Sequence, residues 1–509
     1  MKSVRFESAA VSGKREAALV LVTLAYLLTR ASGLSRELVS EEGMFMMPGR
    51  LFFQGQGFAV YHKPALTSLL LGAFSFIGQD PVVGGRIVPF LVGLFVCLLP
   101  LFLTGSVVPS ILVLLSPFFL GASAQMQTDP TVGLLGYGLV SAAIFLWYRR
   151  ERAPAGLLVG GLLVLWLGKL EIAVIASTVL FLVILFFSPP RRARLIRLSL
   201  LATVLGIGGF ILMTWILGMT AGLHFSQSVG MVVGTVTRIG GDLVQKGTAS
   251  VGSNIGRRLL LANSLSAFQV DRLFALALIP LLTVILLLRA ERGNLVPLFG
   301  ALLVAACLPG VVYFAGSYLG DGFPRYFLIV FPPLLILLGY SLQLLPPVPR
   351  RYLGATTVIL AMALLLPDWI ALWKSPWSIN VARGTGGYRQ AACLVAFLTR
   401  PGDLILAPEA ATYSIPNRRW LVQETFLPYP EKQPAAQARA SELRAAIVPR
   451  LPRGPWRYQS VLGQLVKAID GKGSRSFYYG SLEVVVACPG DCRAALPEPG
   501  KQEPVKSSR

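Results

Sequence analysis

Ser40-Glu41-Glu42-Gly43 and, further along the same interval, His62-Lys63-Pro64-Ala65-Leu66 lie between the first two long apolar runs of the chain, which begin near Ala17 and Val82. An ionised side chain at the centre of a bilayer costs at least ~2.5–3.5 kcal/mol. Two acids followed by a base beside such runs therefore belong at a membrane face. They mark a place where something charged is handled.

Of 509 residues, 54% are hydrophobic and only 14% charged. That balance excludes an ordinary soluble domain and points to a polytopic α-helical membrane protein. A formal net charge of +22 would suggest nucleic acid in a soluble chain. Here the Lys and Arg excess lies in short loops between apolar runs, so no nucleic-acid partner is expected and the basic loops are read as orientation signals and lipid-headgroup contacts. There is no P-loop, no nucleotide-binding glycine motif and no zinc-spaced Cys/His cluster. Leu19–Leu28 runs on into the body of the protein and does not read as a cleavable signal.

A spanning helix needs about 20 apolar residues, and about eleven runs are read as spans. They begin near Ala17, Val82, Pro109, Thr131, Pro154, Ile172, Leu198, Leu273, Leu295, Tyr326 and Leu353. With the N-terminus cytoplasmic, the inside loops hold Arg149-Arg150-Glu151-Arg152, Arg191-Arg192-Ala193-Arg194, Arg289 with Arg292, and Arg350-Arg351, as the positive-inside rule requires. Pro64–Ile77 is too short to span and is read as an interfacial helix in the first outer loop, residues 33–81. Residues 221–270 form a second, long outer loop. The membrane domain is thus placed at 1–373, in a plasma or inner membrane.

Residues 374–496 are polar, Pro-rich and basic, and are read as a small extracytoplasmic α/β domain. Gly387–Thr399 patterns as an amphipathic helix, Pro401-Gly402-Asp403 as a turn, and Leu404–Leu406 and Leu482–Ala487 as buried strands. Residues 497–509 read as a disordered tail. Cys97 and Cys307 lie in apolar runs as buried thiols. Cys488 and Cys492 either pair or stay free, which spacing alone does not decide.

In this topology Glu41, Glu42, His62, Lys63, Arg86, Asp129, Lys169, Glu171, His224, Asp321, Arg325 and Tyr326 converge on the outer face. A carboxylate there can take a proton from an acceptor hydroxyl or amine. Asp129, in Gln127-Thr128-Asp129-Pro130, also reads as an ordinary helix cap with Pro at the first helical position. Lys63, Lys169 and Arg325 suit an anionic headgroup, and equally suit snorkelling at the interface. His62 and His224, with Glu41 or Glu42, are the available metal ligands. Two distant histidines are no motif, so no metal and no cofactor is expected as a requirement.

The order of these pieces resembles the glycosyltransferase-C superfamily, in its branch of protein O-mannosyltransferases, lipid A aminoarabinose transferases and lipopolysaccharide galacturonosyltransferase-like proteins. That branch carries an Asp-Glu pair in the first outer loop, then Lys-Pro-Pro-Leu, a Gly turn, a span opening with Arg-apolar-Pro, a Thr-Asp-Pro and a late Arg-Tyr. Here the series reads Glu41-Glu42-Gly43, Lys63-Pro64-Ala65-Leu66, Gly78, Arg86-Ile87-Val88-Pro89, Thr128-Asp129-Pro130 and Arg325-Tyr326. Glu41 replaces the usual Asp, Ala65 the second Pro, and His62 a common Glu; the Arg opening has one extra apolar residue.

The resemblance implies transfer of a sugar from a polyprenyl-phosphate donor to an acceptor (protein, lipid or glycan), with inversion at the anomeric carbon. It implies Glu41, Glu42 and Asp129 as the catalytic acids. Lys63, Arg325, Tyr326, Lys169 and Arg86 would hold the donor phosphate as it leaves. A transporter or flippase would place its charges near the midplane and show a repeat, and this chain does neither. A non-catalytic scaffold is the other rival.

Overall fold

The computed structural model describes residues 10–35, 42–55, 57–58, 65–78, 80–122, 125–149, 154–187, 189–220, 222, 224–226, 230, 295–315, 328–374, 388–408, 411, 418–423, 433–449, 451, 457–479 and 482–487. Met1–Ser35 with Phe45–Trp377 form one unit, and Arg36–Met44 with Ser378–Arg509 a second. The span read from Leu273, most of the 221–270 loop, Cys488, Cys492 and the tail lie outside the described residues.

The first unit is helical. Its helices are α1 (Ala10–Arg30), α2 (Glu42–Phe53, whose first turn groups with the second unit), α3 (Ala65–Phe74), α4 (Pro81–Thr104), α5 (Val108–Leu115), α6 (Pro117–Ala122), α7 (Leu134–Tyr148), α8 (Pro154–Gly168), α9 (Leu170–Phe186), α10 (Arg192–Thr220), α11 (Leu295–Ala315), α12 (Phe331–Leu344) and α13 (Pro347–Lys374). The ends of α4 follow from its sequence. Asp80 Oδ1 accepts from Val82 N at 2.9 Å, Pro81 opens the first turn, and Gly105 closes it in left-handed backbone at φ 72°.

α1 runs antiparallel to α4. Arg15 donates to Phe102 O, Tyr26 Oη to Phe90 O at 3.0 Å, and Arg86 Nη1 to Leu34 O at 3.3 Å, so residue numbers fall on one helix as they rise on the other. α7 and α8 cross closely at Gly136 and Gly161, where an added Cβ on either would sit within 3 Å of the other's carbonyl. Small residues at such crossings let membrane helices approach.

Among the described residues four segments are long and apolar enough to cross a membrane: Pro81–Thr104, Asp129–Tyr148, Arg192–Thr220 and Pro347–Leu366. The eleven full spans expected from hydropathy are therefore not all formed as single long helices. The run from Pro109 is cut at Ser116-Pro117 into α5 and α6, and α8 and α9 are cut from each other by Lys169. Both are shorter than the roughly 20 residues a perpendicular span needs. Burial sorts the long segments: 78% of the Asp129–Tyr148 window is inside the protein, against 28% for α10 and 22% for α13. The exposed Leu200, Val204, Leu205, Leu212 and Ile216 of α10 form the lipid-facing side expected of an integral membrane protein. Cys97 is buried as expected, whereas Cys307 is exposed, because its side of the apolar helix α11 faces outward.

The second unit is a three-layer α/β domain. Its strands are β1 (Leu404–Ala407), β2 (Arg419–Val422), β3 (Leu443–Pro449), β4 (Ser474–Tyr479) and β5 (Leu482–Ala487), in the order β2-β1-β3-β5-β4. β1 is parallel to both β2 and β3; β5 is antiparallel to β3 and β4. Alternation along the strands divides the core. Leu404, Leu406, Val448 and Val485 face α16 (Val461–Asp470) and α15 (Gln433–Ala438), while Ile405, Ala407, Ile447 and Val484 face α14 (Tyr388–Leu398). The helix, turn and two strands read from sequence all form, the turn with Gly402 at φ 88°.

Glu483, fully buried on β5, sits in a charged network. Arg457 Nη2 and Nη1 donate to its Oε1 and Oε2 at 2.6 and 3.1 Å, Ser476 Oγ donates to Oε1 at 2.9 Å, and Leu451 N donates to Oε2 at 3.3 Å. A buried carboxylate is tolerated when paired and hydrogen-bonded in this way.

Candidate functional site

The site is built where the chain enters α7. Asp129–Gly133 form a single π turn, closed by Gly133 N donating to Thr128 O at 2.9 Å. Pro130 cannot donate an N–H, and Thr131 Oγ1 turns back to donate to Gln127 O and to Thr128 O. One-turn π bulges are rare and recur at functional sites. The expectation of Asp129 as a helix cap is replaced: the cap position is Thr128, it makes no side-chain cap bond, and the Asp129 carboxylate is turned to other work.

That work is an ion pair. Lys169 Nζ lies 3.5 Å from Asp129 Oδ1, with both side chains 2% exposed. It also lies 3.8 Å from Glu171 Oε2, which is 27% exposed. Lys169 is the one residue between α8 and α9, held in extended backbone at φ −154°, ψ 87°. Glu171 stands in the first turn of α9, where the helix dipole favours a carboxylate. The π turn and the α8–α9 junction are locked together. A Cβ on Gly168 would meet Val132 at 2.5 Å, and one on Gly133 would meet Ile172 at 2.7 Å.

Arg86, on the first turns of α4, is fully buried and ties down Leu34 O at the exit of α1. The adjacent Gly85 is packed by the sulfurs of Met46 and Met126. Glu42 is fully buried as the first residue of α2. His224 is exposed. Glu41, His62, Lys63, Asp321, Arg325 and Tyr326 lie outside the described residues. Among the described residues no three His, Cys, Asp or Glu side chains gather as metal ligands.

The structure thus joins two residues that the sequence reading kept in separate roles, Asp129 as an acid and Lys169 as a phosphate ligand. It also adds Gln127, buried beside them in the chain, with Oε1 lacking a hydrogen-bond partner. Its position two residues before Asp129 was the only available signal, since an isolated Gln in an apolar context carries no motif.

No family model and no curated protein matches the sequence. Solved structures do. ArnT from Cupriavidus metallidurans in the apo state aligns with a TM-score of 0.57 at 14% identity, covering 94% of this chain and 99% of that one. The same protein bound to undecaprenyl phosphate aligns at 0.50 and 12%, covering 94% and 98%. The Archaeoglobus fulgidus oligosaccharyltransferase in complex with Zn and sulfate aligns at 0.50 and 13%, covering 85% of this chain and 68% of that one. At these identities the likeness is one of fold: the chain shares the fold of ArnT and of the archaeal oligosaccharyltransferase.

Proposed function

We propose that this chain is an integral-membrane glycosyltransferase that moves a sugar from a polyprenyl-phosphate donor to an acceptor on the extracytoplasmic side. The observation that carries the reading is the buried Asp129–Lys169 pair on a π turn, in a fold shared with a protein solved bound to undecaprenyl phosphate. A buried ion pair is weak evidence for stability, because desolvation offsets much of the attraction. A pair kept at a π turn is better explained by chemistry, since such turns recur at functional sites.

The roles divide as follows. Asp129, paired with Lys169, orients the acceptor hydroxyl or amine. Glu41, with Glu42 beside it in sequence, removes its proton as the nucleophile attacks the anomeric carbon from the face opposite the leaving phosphate, which inverts that carbon. Lys63 and Arg325, with Tyr326, meet the phosphate as negative charge grows on its bridging oxygen. Lys169 and Arg86, also drawn to the phosphate by sequence, act here through Asp129 and through Leu34. The neighbour solved with undecaprenyl phosphate supports that donor class; sugar and acceptor identity reside in loops and are not fixed by fold.

The test of donor class is binding. Purified protein should bind undecaprenyl phosphate in detergent, and Lys63→Met and Arg325→Met should each weaken it by about tenfold, the worth of one charge-assisted phosphate contact. Equal affinity in wild type and both variants would remove the lipid-phosphate reading.

A further inference from the structure

α5 and α6 are one apolar run divided at Ser116-Pro117. Pro117 has no N–H to give Val113 O, and it drives Ser116 out of helical backbone to ψ 113°. The chain restarts there: Ser116 Oγ accepts from Phe119 N at 3.1 Å, and Ser116 O from Leu120 N at 3.1 Å. Inside a bilayer every freed backbone group must find a partner within the protein. At the end of α5 Val113 O accepts from Ser116 N at 3.3 Å, and three carbonyls there also take donors from the first and last helices of the unit. Arg30 Nη2, on α1, donates to Val113 O at 2.9 Å and to Leu114 O at 3.2 Å. Trp369 Nε1, on α13, donates to Leu115 O at 2.8 Å.

This arrangement is expensive. Arg30 is 1% exposed, its Nε and Nη1 have no hydrogen-bond partner, and its guanidinium lies against the Tyr26 ring at 5.7 Å. Burying a partly satisfied guanidinium disfavours the folded state. Ser116 N already gives Val113 O a neutral donor, so that carbonyl alone does not require the charge. A break maintained at such cost has a use beyond stability, and α6 is the described helix that precedes Met126, Gln127 and Asp129 in the chain.

Resting on the glycosyl-transfer reading, we propose that the Ser116-Pro117 break, clamped by Arg30 and Trp369, is a positioning device that sets the path of the segment delivering Asp129 to Lys169. Arg30 and Trp369 touch no substrate and are positioning residues. Pro117→Ala in the full chain tests this, because it supplies the helical N–H that proline lacks and permits a continuous helix. The variant should unfold no earlier than wild type and bind undecaprenyl phosphate equally well. Its kcat should fall by about tenfold or more with the donor KM unchanged, the signature of lost transition-state positioning. Hydrogen exchange across residues 125–133 should quicken, which reads the geometry without any activity. Arg30→Met alone should lower stability, and Arg30→Met/Pro117→Ala should regain stability but not kcat.

Wild-type kcat and wild-type exchange in Pro117→Ala would overturn the proposal. So would a double variant that regains both properties, or one no more stable than Arg30→Met. If wild type itself transfers no sugar, only the functional reading falls, and the stability and exchange results still decide the clamp.

Discussion

Replacing Lys169 by Met should cost far more than replacing Asp129 by Asn, and the two changes should not add. At 3.5 Å the Lys169–Asp129 attraction is about 5 kcal/mol for an effective dielectric near 20. Desolvation of two groups, each 2% exposed, cancels much of that, so the pair itself adds little net stability. Removing one member is different. Lys169→Met removes the cation beside a buried carboxylate, with Glu171 as a second acid nearby, and should cost about 3–5 kcal/mol. Asp129→Asn leaves Lys169 with Glu171 at 3.8 Å and should cost only about 1–3 kcal/mol. The double variant should be no worse than Lys169→Met alone, a coupling of at least about 1 kcal/mol. Denaturant unfolding in one detergent, with all four proteins, measures the cycle. Additivity within about 0.5 kcal/mol would refute the pairing.

Other consequences can be checked separately. In the C-terminal domain Arg457→Met should destabilise by about 3–5 kcal/mol, because it strands the buried Glu483, while Arg457→Met/Glu483→Leu should recover most of the loss in the same unfolding assay. Glu442 is held below its ordinary value of 4.5 by the Arg419 hydrogen bond, so its contribution is present above that pH and is lost as pH falls through the lowered value; Glu442→Gln should flatten the acid limb of a stability–pH curve. Tyr458 is raised above 10 by its hydrogen bond to Asp470, so its contribution is present below pH 10 and lost as pH rises through the raised value, and Tyr458→Phe should remove that alkaline loss. Gly136→Val should push α7 from α8 and lower the unfolding midpoint by the equivalent of about 1–3 kcal/mol.

What the sequence disclosed, and what it hid, has physical causes. α4 was legible because Asp80-Pro81 and Gly105 punctuate a long apolar run. β1, β5 and α14 were legible because local period and turn residues agree with the tertiary structure. Hydropathy sums could not see that Pro117 cuts one run, since proline subtracts a donor without adding polarity. They did separate the runs from Pro154 and Ile172 around Lys169, but did not show the short length of the two helices. The Asp129–Lys169 pair joins residues forty positions apart with no motif between them, so only the packing of the π turn on α8 and α9 reveals it. The buried Arg30 gave no signal because its partners are backbone carbonyls, which every residue has.

The most direct measurement incubates purified wild type, Glu41→Gln and Asp129→Asn with a panel of short-chain polyprenyl-phosphate sugars and follows release of polyprenyl phosphate. Wild type should consume at least one donor, and both variants should fall by about a hundredfold or more, the usual worth of a positioned acid–base group. No donor consumed by wild type, or equal rates in all three proteins, would contradict the glycosyl-transfer reading.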